Sequence, residues 1–116
     1  MAYRYEHFDY IGVQDGDTLN LIVDAGFYFH RQRTGNKPVG YRLRRINAPE
    51  MDTAAGVEAK KALQSYIEGV PIRIETFQNP DKYGRYLIEV DALIADNWVN
   101  LNDLMVIAGH AAYASY

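Results

Sequence analysis

Four charged side chains stand at the ends of short β-like runs, and their types suit chemistry on a phosphate. Asp17 opens a run behind a tight-turn dipeptide, Arg42 and Glu50 stand within the stretch YRLRRINAPE, and Arg85 ends the turn DKYGR. An arginine can give two parallel hydrogen bonds to a phosphate, and a carboxylate can hold a cation or accept a proton from water. Together the four predict an anion-handling site, whereas each taken singly also fits a turn cap or a surface charge.

The sequence excludes several other chemistries. It contains no cysteine, which removes disulfide scaffolds, zinc–cysteine sites, iron–sulfur clusters and thiol nucleophiles. Its serines are Ser65 and Ser115, and the histidines His7, His30 and His110 lack metal-ligand spacing. A serine triad or a histidine zinc site is therefore not expected. The stretch GVEAKK also lacks the closing Gly-Lys-Ser/Thr of a phosphate loop.

Basic residues are concentrated between positions 31 and 45 of a chain whose net charge is −3. No acid occurs between Asp24 and Glu50. Such a zone fits either a solvated, charged hairpin or an anion-binding surface. Within it, we expect Arg44 and Arg45 to be flanking charge only. Six of the 12 basic residues form the zone: Arg31, Arg33, Lys37, Arg42, Arg44 and Arg45.

Hydrophobic periodicity predicts the elements that must position these residues within a single domain, residues 1–116. Strands are predicted at 8–14, 18–24, 41–47, 71–77 and 85–90, with a positive-φ turn at Asp15-Gly16 and a long hairpin tip at 30–40. A 3.6-residue stripe after Pro49 predicts a helix that ends at Gly69, and Asn100 is expected to cap a second helix over 101–108. Five strands with a helix after the third favour an α+β fold built on an oligonucleotide-binding (OB) barrel.

Several motifs occur together in an order that is typical of one family. They are VQDGDTLNLIVD, YRLRRINAPE, GVEAKKAL and DKYGRYL, followed by VN and a helix ending in AGHA. In this order and spacing the chain resembles the staphylococcal-nuclease-like (thermonuclease) family over about residues 10–113. The resemblance implies a five-stranded OB barrel with helices. Many members also have a C-terminal helix, which we expect to be reduced or absent in this chain.

The resemblance also implies calcium-dependent hydrolysis of phosphodiester bonds in DNA or RNA. Two arginines would stabilise the charge that develops around phosphorus, and a glutamate would activate or orient water. Carboxylate, amide and carbonyl oxygens are ligands that calcium accepts. The positions carried over are Asp17, Asn47 and the Ala48 carbonyl for the metal, Arg42, Glu50 and Arg85 for catalysis, and Lys82 and Tyr83 for contacts with the nucleic acid.

Asn47 departs from the family pattern, because an aspartate is expected at this position. The amide keeps an oxygen ligand but removes one negative charge, so we expect weaker calcium binding. The alternative is therefore a catalytically weakened module of the OB type that binds single-stranded nucleic acid, and a weaker third reading is a structural or interaction domain. Glu50 favours catalysis over binding alone, because a carboxylate beside a phosphate repels it.

Strict alternation along 41–47 conflicts with this assignment. It places Arg42 and Asn47 on opposite faces of one strand, whereas the family reading needs both at one site. A β-bulge or a sharp twist between Arg44 and Asn47 would reconcile the two.

Two expectations concern the surroundings of the protein. No signal peptide or apolar membrane span is seen, which favours a cytoplasmic protein. The resemblance implies a DNA or RNA substrate, and we expect single strands to be preferred. The chain ends soon after His110, and a homodimer is one way to cover apolar surface left exposed there.

Overall fold

A computed structural model of the chain describes residues 2–6, 8–23, 39–77 and 86–114. The described part contains short strands and two helices, and none of these helices is long and apolar enough to cross a membrane. In chain order the elements are β1 (Ala2–Tyr5), β2 (Phe8–Asp15), β3 (Thr18–Val23), β4 (Val39–Leu43), β5 (Ile46–Asn47), α1 (Ala54–Ile67), β6 (Ile72–Phe77), β7 (Leu87–Ile94), β8 (Asn97–Asn100), α2 (Leu101–Ile107) and β9 (Ala112–Tyr113).

The main sheet returns on itself as a barrel. Its strand order is β1-β6-β7-β4-β3-β2, and the two ends of this path, β1 and β2, follow one another in the chain with only residues 6 and 7 between them. The two therefore act as one bent strand that pairs with β6 on one side and with β3 on the other. Counted in this way, the barrel has the predicted five strands with a helix after the third, and the OB-type α+β fold is confirmed.

Three strands were not predicted, and one predicted strand is divided. Strands β1, β8 and β9 pair with β6, β7 and β5 respectively. The predicted strand over 41–47 divides into β4 and β5, which a turn at residues 44 and 45 separates. Segments of two to four residues carry too few side chains to show a period, so their pairing depends on the strand beside them.

The core fills the barrel and the space beneath both helices. The stripe predicted for α1 is confirmed, since Ala59 and Leu63 are fully buried and Ala62, Tyr66 and Ile67 pack against them. Helix α2 contributes Leu101 and Met105 in the same way. Among the described strand residues, the fully buried apolar ones include Leu19, Leu21, Tyr41, Leu43, Ile46, Ile74, Ile88, Val90 and Ala92.

Gly16 is required in the turn between β2 and β3, though not for the predicted reason. Its φ is not positive, because in the described part of the chain only Gly69 and Gly109 are glycines with that conformation. A β-carbon on Gly16 would lie 2.6 Å from the Ala59 Cβ in α1 and 2.8 Å from the Ala48 Cβ. Both separations are too short for carbon atoms. The glycine therefore permits close approach of helix α1 to the turn, and the predicted left-handed conformation is wrong.

Helix ends agree with the sequence. Asn100 caps α2, because its Oδ1 accepts a 2.9 Å hydrogen bond from the Asp103 N–H. Thr53 caps α1 in the same manner, its Oγ1 accepting from the Gly56 N–H at 3.0 Å. Gly69, at φ 73°, follows α1 as predicted. These caps fix where each helix begins, and therefore which residues lie in the segments just before them.

Asn102 fastens α2 to the barrel from a fully buried position. Its Nδ2 donates to the carbonyl oxygens of Arg44 at 2.8 Å and Ile88 at 2.9 Å. Its Oδ1 accepts from the Val90 N–H at 3.0 Å. One amide thus serves three backbone groups on two segments, the turn after β4 and strand β7.

Replacing Asn102 by alanine removes its hydrogen bonds to the Val90 N–H and the Arg44 carbonyl, whereas the Ile88 carbonyl still accepts from the Arg44 N–H. We expect Asn102→Ala to lower the free energy of unfolding by about 2–4 kcal/mol, because each unsatisfied buried group costs about 1–3 kcal/mol. Urea unfolding followed by circular dichroism measures the change. The matched control is Asn97→Ala, since Asn97 is exposed and donates only to the Ala95 carbonyl in its own turn. Equal, small losses in both variants would contradict this role.

Candidate active site

The turn between β4 and β5 brings two predicted site residues together. Arg44 and Arg45 form this turn, and Arg45 adopts a left-handed φ of 71°. The alternation of side chains is interrupted there. As a result the Arg42 Nη2 donates a 2.7 Å hydrogen bond to the Asn47 Oδ1. The irregularity predicted between Arg44 and Asn47 is confirmed as a turn rather than a bulge.

Asp17 lies against the same pair from the start of β3. Its Oδ2 is 3.3 Å from the Arg42 Nη2 and accepts a 2.9 Å hydrogen bond from the Ala48 N–H. Its main-chain oxygen accepts from the Leu43 N–H at 2.7 Å. Strand pairing sets this arrangement, because Thr18 lies opposite Arg42 in the β3–β4 ladder. Four predicted residues, Asp17, Arg42, Asn47 and Ala48, therefore meet at one place.

The environment of Asp17 disfavours its charged form. The residue is only 6% exposed. Burial, followed by a hydrogen bond with the Asp15 side chain, raises the pKa of its carboxyl group from 3.8 to about 6. The Ala48 N–H and the Arg42 guanidinium oppose this rise in pKa but do not cancel it. The site thus holds a buried carboxyl group that Arg42 does not suffice to keep at its ordinary pKa.

Asp15 belongs to this site, although the sequence analysis treated it only as part of a turn. Its Oδ1 accepts a 3.1 Å hydrogen bond from the Asp17 N–H. The signal was present in the spacing of the DGD triplet, because a tight turn after the first aspartate returns the second to its side. The cluster therefore contains two carboxyl groups.

Glu50 has a fixed backbone and an available side chain. Its carbonyl oxygen accepts hydrogen bonds from Thr53, at 2.6 Å from Oγ1 and 3.1 Å from N. Gly56 of α1 packs directly on this carbonyl and has no room for a β-carbon. The residue is exposed, and among the described residues its carboxylate has no hydrogen bond or ion pair, including none with Arg42. The structure thus anchors Glu50 at the end of β5 without placing it in contact with Asp17 or Asn47.

The remaining predicted site residues, Lys82, Tyr83 and Arg85, lie outside the described residues and stay predictions. Residues 30–38 of the predicted hairpin tip, with its basic residues, also lie outside the described residues, whereas Val39 and Gly40 belong to strand β4, where that prediction is wrong. The first described residue after the DKYGR segment is Tyr86. Its carbonyl oxygen accepts a 2.9 Å hydrogen bond from the Arg42 N–H. Strand β7 continues from there parallel to β4.

Arg44 and Arg45 are not merely flanking charge, so that expectation is wrong. Arg45 makes hydrogen-bonded ion pairs with Glu89 and Asp103, and the Arg44 guanidinium lies 4.3 Å from the centre of the Phe77 ring. The reason is tertiary, because Glu89 and Asp103 reach the turn from β7 and α2. Within the described residues, the arginines of the basic zone therefore pair with carboxylates, and their positive charge is compensated.

The raised pKa of Asp17 can be tested by the pH dependence of folding stability. The unfolded chain ionises Asp17 near pH 4, whereas the folded protein retains the proton to about pH 6. Folding stability therefore falls as the pH rises across this window. In EDTA, we expect wild type to lose about 2–3 kcal/mol more than Asp17→Asn between pH 4 and pH 7, from about two pKa units. Urea unfolding at each pH measures this difference.

The control for this experiment is Asp96→Asn, which removes a carboxylate from an exposed turn. Its stability profile should run parallel to that of wild type. Parallel profiles for Asp17→Asn and wild type would contradict the raised pKa of Asp17.

Comparison with known proteins places the chain in a family. Residues 40–116 match the family described as staphylococcal nuclease homologue. A protein of Escherichia coli O157:H7 is 32% identical over 111 residues, which cover 95% of this chain and 63% of that protein. One of Haemophilus influenzae is 32% identical over 107 residues, covering 91% of this chain and 52% of that protein. Both carry the name uncharacterized endonuclease.

The chain thus spans less than two thirds of the length of these curated relatives. The family match covers more than half of its residues and includes Arg42, Asn47, Ala48 and Glu50. Asp17 lies before the matched range, yet the fold brings it into contact with Arg42. On this match and on the identity to these relatives, the chain belongs to the staphylococcal nuclease homologue family.

Proposed function

We propose that this chain is a calcium-dependent nuclease that hydrolyses phosphodiester bonds of DNA or RNA. The observation that carries the proposal is the convergence on Arg42 of Asp17 and of Asn47, which stands three positions before Glu50, whose carboxylate is exposed and pairs with none of the described residues. The names of the curated relatives agree with such an activity. Each residue then has a separable role in binding the cation, the phosphate or the attacking water.

The oxygens of the cluster fit a calcium ion. The Asp17 Oδ2 and the Asn47 Oδ1 both contact one nitrogen of a guanidinium cation, at 3.3 and 2.7 Å. They therefore already converge on a point of positive charge. Asp17, Asn47 and the Ala48 carbonyl would hold the ion, with waters completing its coordination. Within the described residues there is no cluster of three His, Cys, Asp or Glu side chains suited to a metal, and the proposed ligands accordingly include an amide and a carbonyl oxygen.

Bound calcium would supply positive charge beside the phosphate oxygens and polarise the phosphorus centre. Asp17 gains most from such an ion, because burial and Asp15 otherwise oppose its ionisation. Asn47 contributes an oxygen without charge. The Asp15 carboxyl group lies beside Asp17 and would add to the negative potential around the ion.

Arg42 is the residue that would bind the scissile phosphate. Its planar guanidinium can donate two parallel hydrogen bonds to phosphate oxygens, which a lysine cannot do. The Nη2 of Arg42 contacts the same two oxygens that would bind calcium. The guanidinium therefore lies beside the cation site, where charge develops during the reaction. We assign the second arginine role to Arg85, and phosphate contacts to Lys82 and Tyr83, from the family resemblance.

Glu50 would accept a proton from the attacking water or orient that water in line with the leaving group. An exposed carboxylate without a competing cation can do either. The Thr53 hydrogen bonds and the tight Gly56 contact hold its backbone. This anchoring limits how far Glu50 can move relative to β5, which supplies Asn47.

A second candidate is a module that binds single-stranded nucleic acid with little or no turnover. Asn47 favours it, because a neutral ligand weakens the hold on calcium. OB barrels commonly bind single strands, so we propose single-stranded DNA or RNA as the ligand in either case. A homodimer stays a prediction, to be tested by the mass of the protein in solution.

Nuclease assays separate the two candidates. We expect the protein to degrade denatured DNA or RNA with added calcium, and EDTA to stop the reaction. Glu50→Gln should lower kcat about 100-fold or more by removing the proton acceptor. Arg42→Ala should lower kcat/KM by a similar factor through lost stabilisation of phosphate charge. Glu68→Gln is the matched control, since Glu68 is exposed just past α1.

Cleavage that EDTA and both variants leave unchanged would contradict the proposed nuclease. Binding of single strands without turnover at millimolar calcium would favour the second candidate. Gel-shift measurements on the same preparations supply that comparison, provided that the salt concentration is fixed, because phosphate contacts are salt-dependent.

Asn47→Asp tests the metal site separately. The added charge should tighten calcium binding by about tenfold or more, because calcium affinity follows the number of charged ligands. Isothermal titration calorimetry measures this without any assay of activity. Asn97→Asp adds the same charge at an exposed position on β8 and controls for general attraction. An equal change in both variants, or no change in either, would argue against calcium binding at Asn47.

A further inference from the structure

Arg45 occupies a backbone conformation that normally favours glycine, asparagine or aspartate. Its φ of 71° lies in the left-handed region, where a residue with a β-carbon costs about 1–2 kcal/mol. A long arginine there requires compensation from its surroundings. The position is also the one at which strand alternation is interrupted, between β4 and β5.

The conformation of this turn decides whether the site can form. In a regular strand, residues five positions apart point to opposite faces and lie about 16 Å apart along the strand. Arg42 and Asn47 have this separation in sequence, yet their side chains are 2.7 Å apart. The turn at Arg44 and Arg45 accounts for the difference. If Arg45 returned to an extended conformation, Asn47 would move away from both Arg42 and Asp17.

The side chain of Arg45 holds the turn from outside the strand. Its Nε and Nη2 donate to the two oxygens of Glu89, each at 2.8 Å, and its Nη1 donates to the Asp103 Oδ1 at 2.9 Å. Such a two-pronged pair fixes the plane of the guanidinium as well as its position. These hydrogen bonds raise the pKa of Arg45 and, at the other end, lower the pKa of Asp103.

The backbone of the turn is held as well. The Arg45 carbonyl accepts from the Ala114 N–H at 2.8 Å, and the Arg44 carbonyl accepts from the Asn102 amide at 2.8 Å. Asn100 connects helix α2 with the ion pair of Arg45, because it caps α2 and also donates to Glu89 at 3.1 Å. The turn is thus fastened to β7 and α2, which carry none of the residues assigned to the site.

We propose that Arg45 is a positioning residue for the active site. Its ion pairs with Glu89 and Asp103 stabilise the left-handed turn that sets the Arg42–Asn47 contact and aligns Asn47 with Asp17. The inference rests on the proposed function where activity is the readout. Its structural part, the dependence of the Arg42–Asn47 contact on the turn, stands independently of any activity.

Two substitutions of Arg45 separate the effect of the left-handed backbone from the effect of the ion pairs. Arg45→Ala removes the ion pairs but retains the unfavourable left-handed φ. Arg45→Gly also removes the ion pairs but adopts that φ without strain. We therefore expect Arg45→Ala to lower kcat about tenfold or more with KM changed less than about threefold, and Arg45→Gly to restore most of this loss. Calcium affinity measured by calorimetry should follow the same order.

The Arg42–Asn47 contact has its own readout in the metal-free protein. NMR of the Arg42 guanidinium reports hindered rotation of the hydrogen-bonded Nη group. The hindered signal should persist in wild type and Arg45→Gly and be lost in Arg45→Ala. The control is Arg73→Ala, which removes an arginine of the barrel that pairs with Asp91 at 2.9 Å but lies in no turn. It should change neither the signal nor kcat.

Equal impairment of Arg45→Ala and Arg45→Gly would overturn the inference, because the guanidinium rather than the turn would then matter. Wild-type kcat, calcium affinity and Arg42 signal in both variants would also overturn it. If Arg45→Ala does not fold, as judged by circular dichroism, Glu89→Gln replaces it, since this change weakens the ion pair and leaves Arg45 in place. A wild-type protein that neither binds calcium nor cleaves nucleic acid would refute the proposed function, whereas the NMR comparison would still decide the role of Arg45.

Discussion

Strand β4 carries Arg42, strand β5 carries Asn47, and the turn between them brings both side chains to one face. This turn depends on a left-handed residue, Arg45 at φ 71°, whose side chain is bound to Glu89 and Asp103. A conformation that is unfavourable locally is thus stabilised by groups that are distant in sequence. The packing of α2 against the barrel, through the buried amide of Asn102, holds the same turn by its backbone.

Charge balance is the second feature that organises the molecule. Arg42, Arg44, Arg45 and Arg73 each lie within 4 Å of a carboxylate oxygen. A phosphate that bound the Arg42 Nη2 would replace the contacts that this nitrogen makes with Asp17 and Asn47. Such an exchange is favourable when another cation takes over those oxygens, since neither Asp17 nor the phosphate is then left with uncompensated charge. Substrate and cation would accordingly support each other at this site.

The sequence was sufficient to predict those features that depend only on residues close together in the chain. The helical stripe of α1, the Asn100 cap and the glycine after α1 were all predicted and are confirmed, because each depends on neighbours within a few residues. Local reasoning failed at Gly16, where close packing against Ala48 and Ala59 replaces the expected left-handed turn. It also failed at Arg45, whose partner Glu89 is 44 positions away.

By itself, the sequence determined the α+β barrel class, the family, and the identity of Asp17, Arg42, Asn47 and Ala48 as residues of one site. The barrel class follows from periodicity, whereas the family and these four residues follow from the resemblance that the motifs carry; periodicity and motifs are properties of short stretches. Only the tertiary structure decided that Asp15 joins the site, that the Asp17 carboxyl group is held toward its neutral form, and that Arg45 supports the turn. The physical reason is that burial, ion pairing and a left-handed backbone are set by segments that meet in space, and the spacing of residues along a chain does not encode which segments meet.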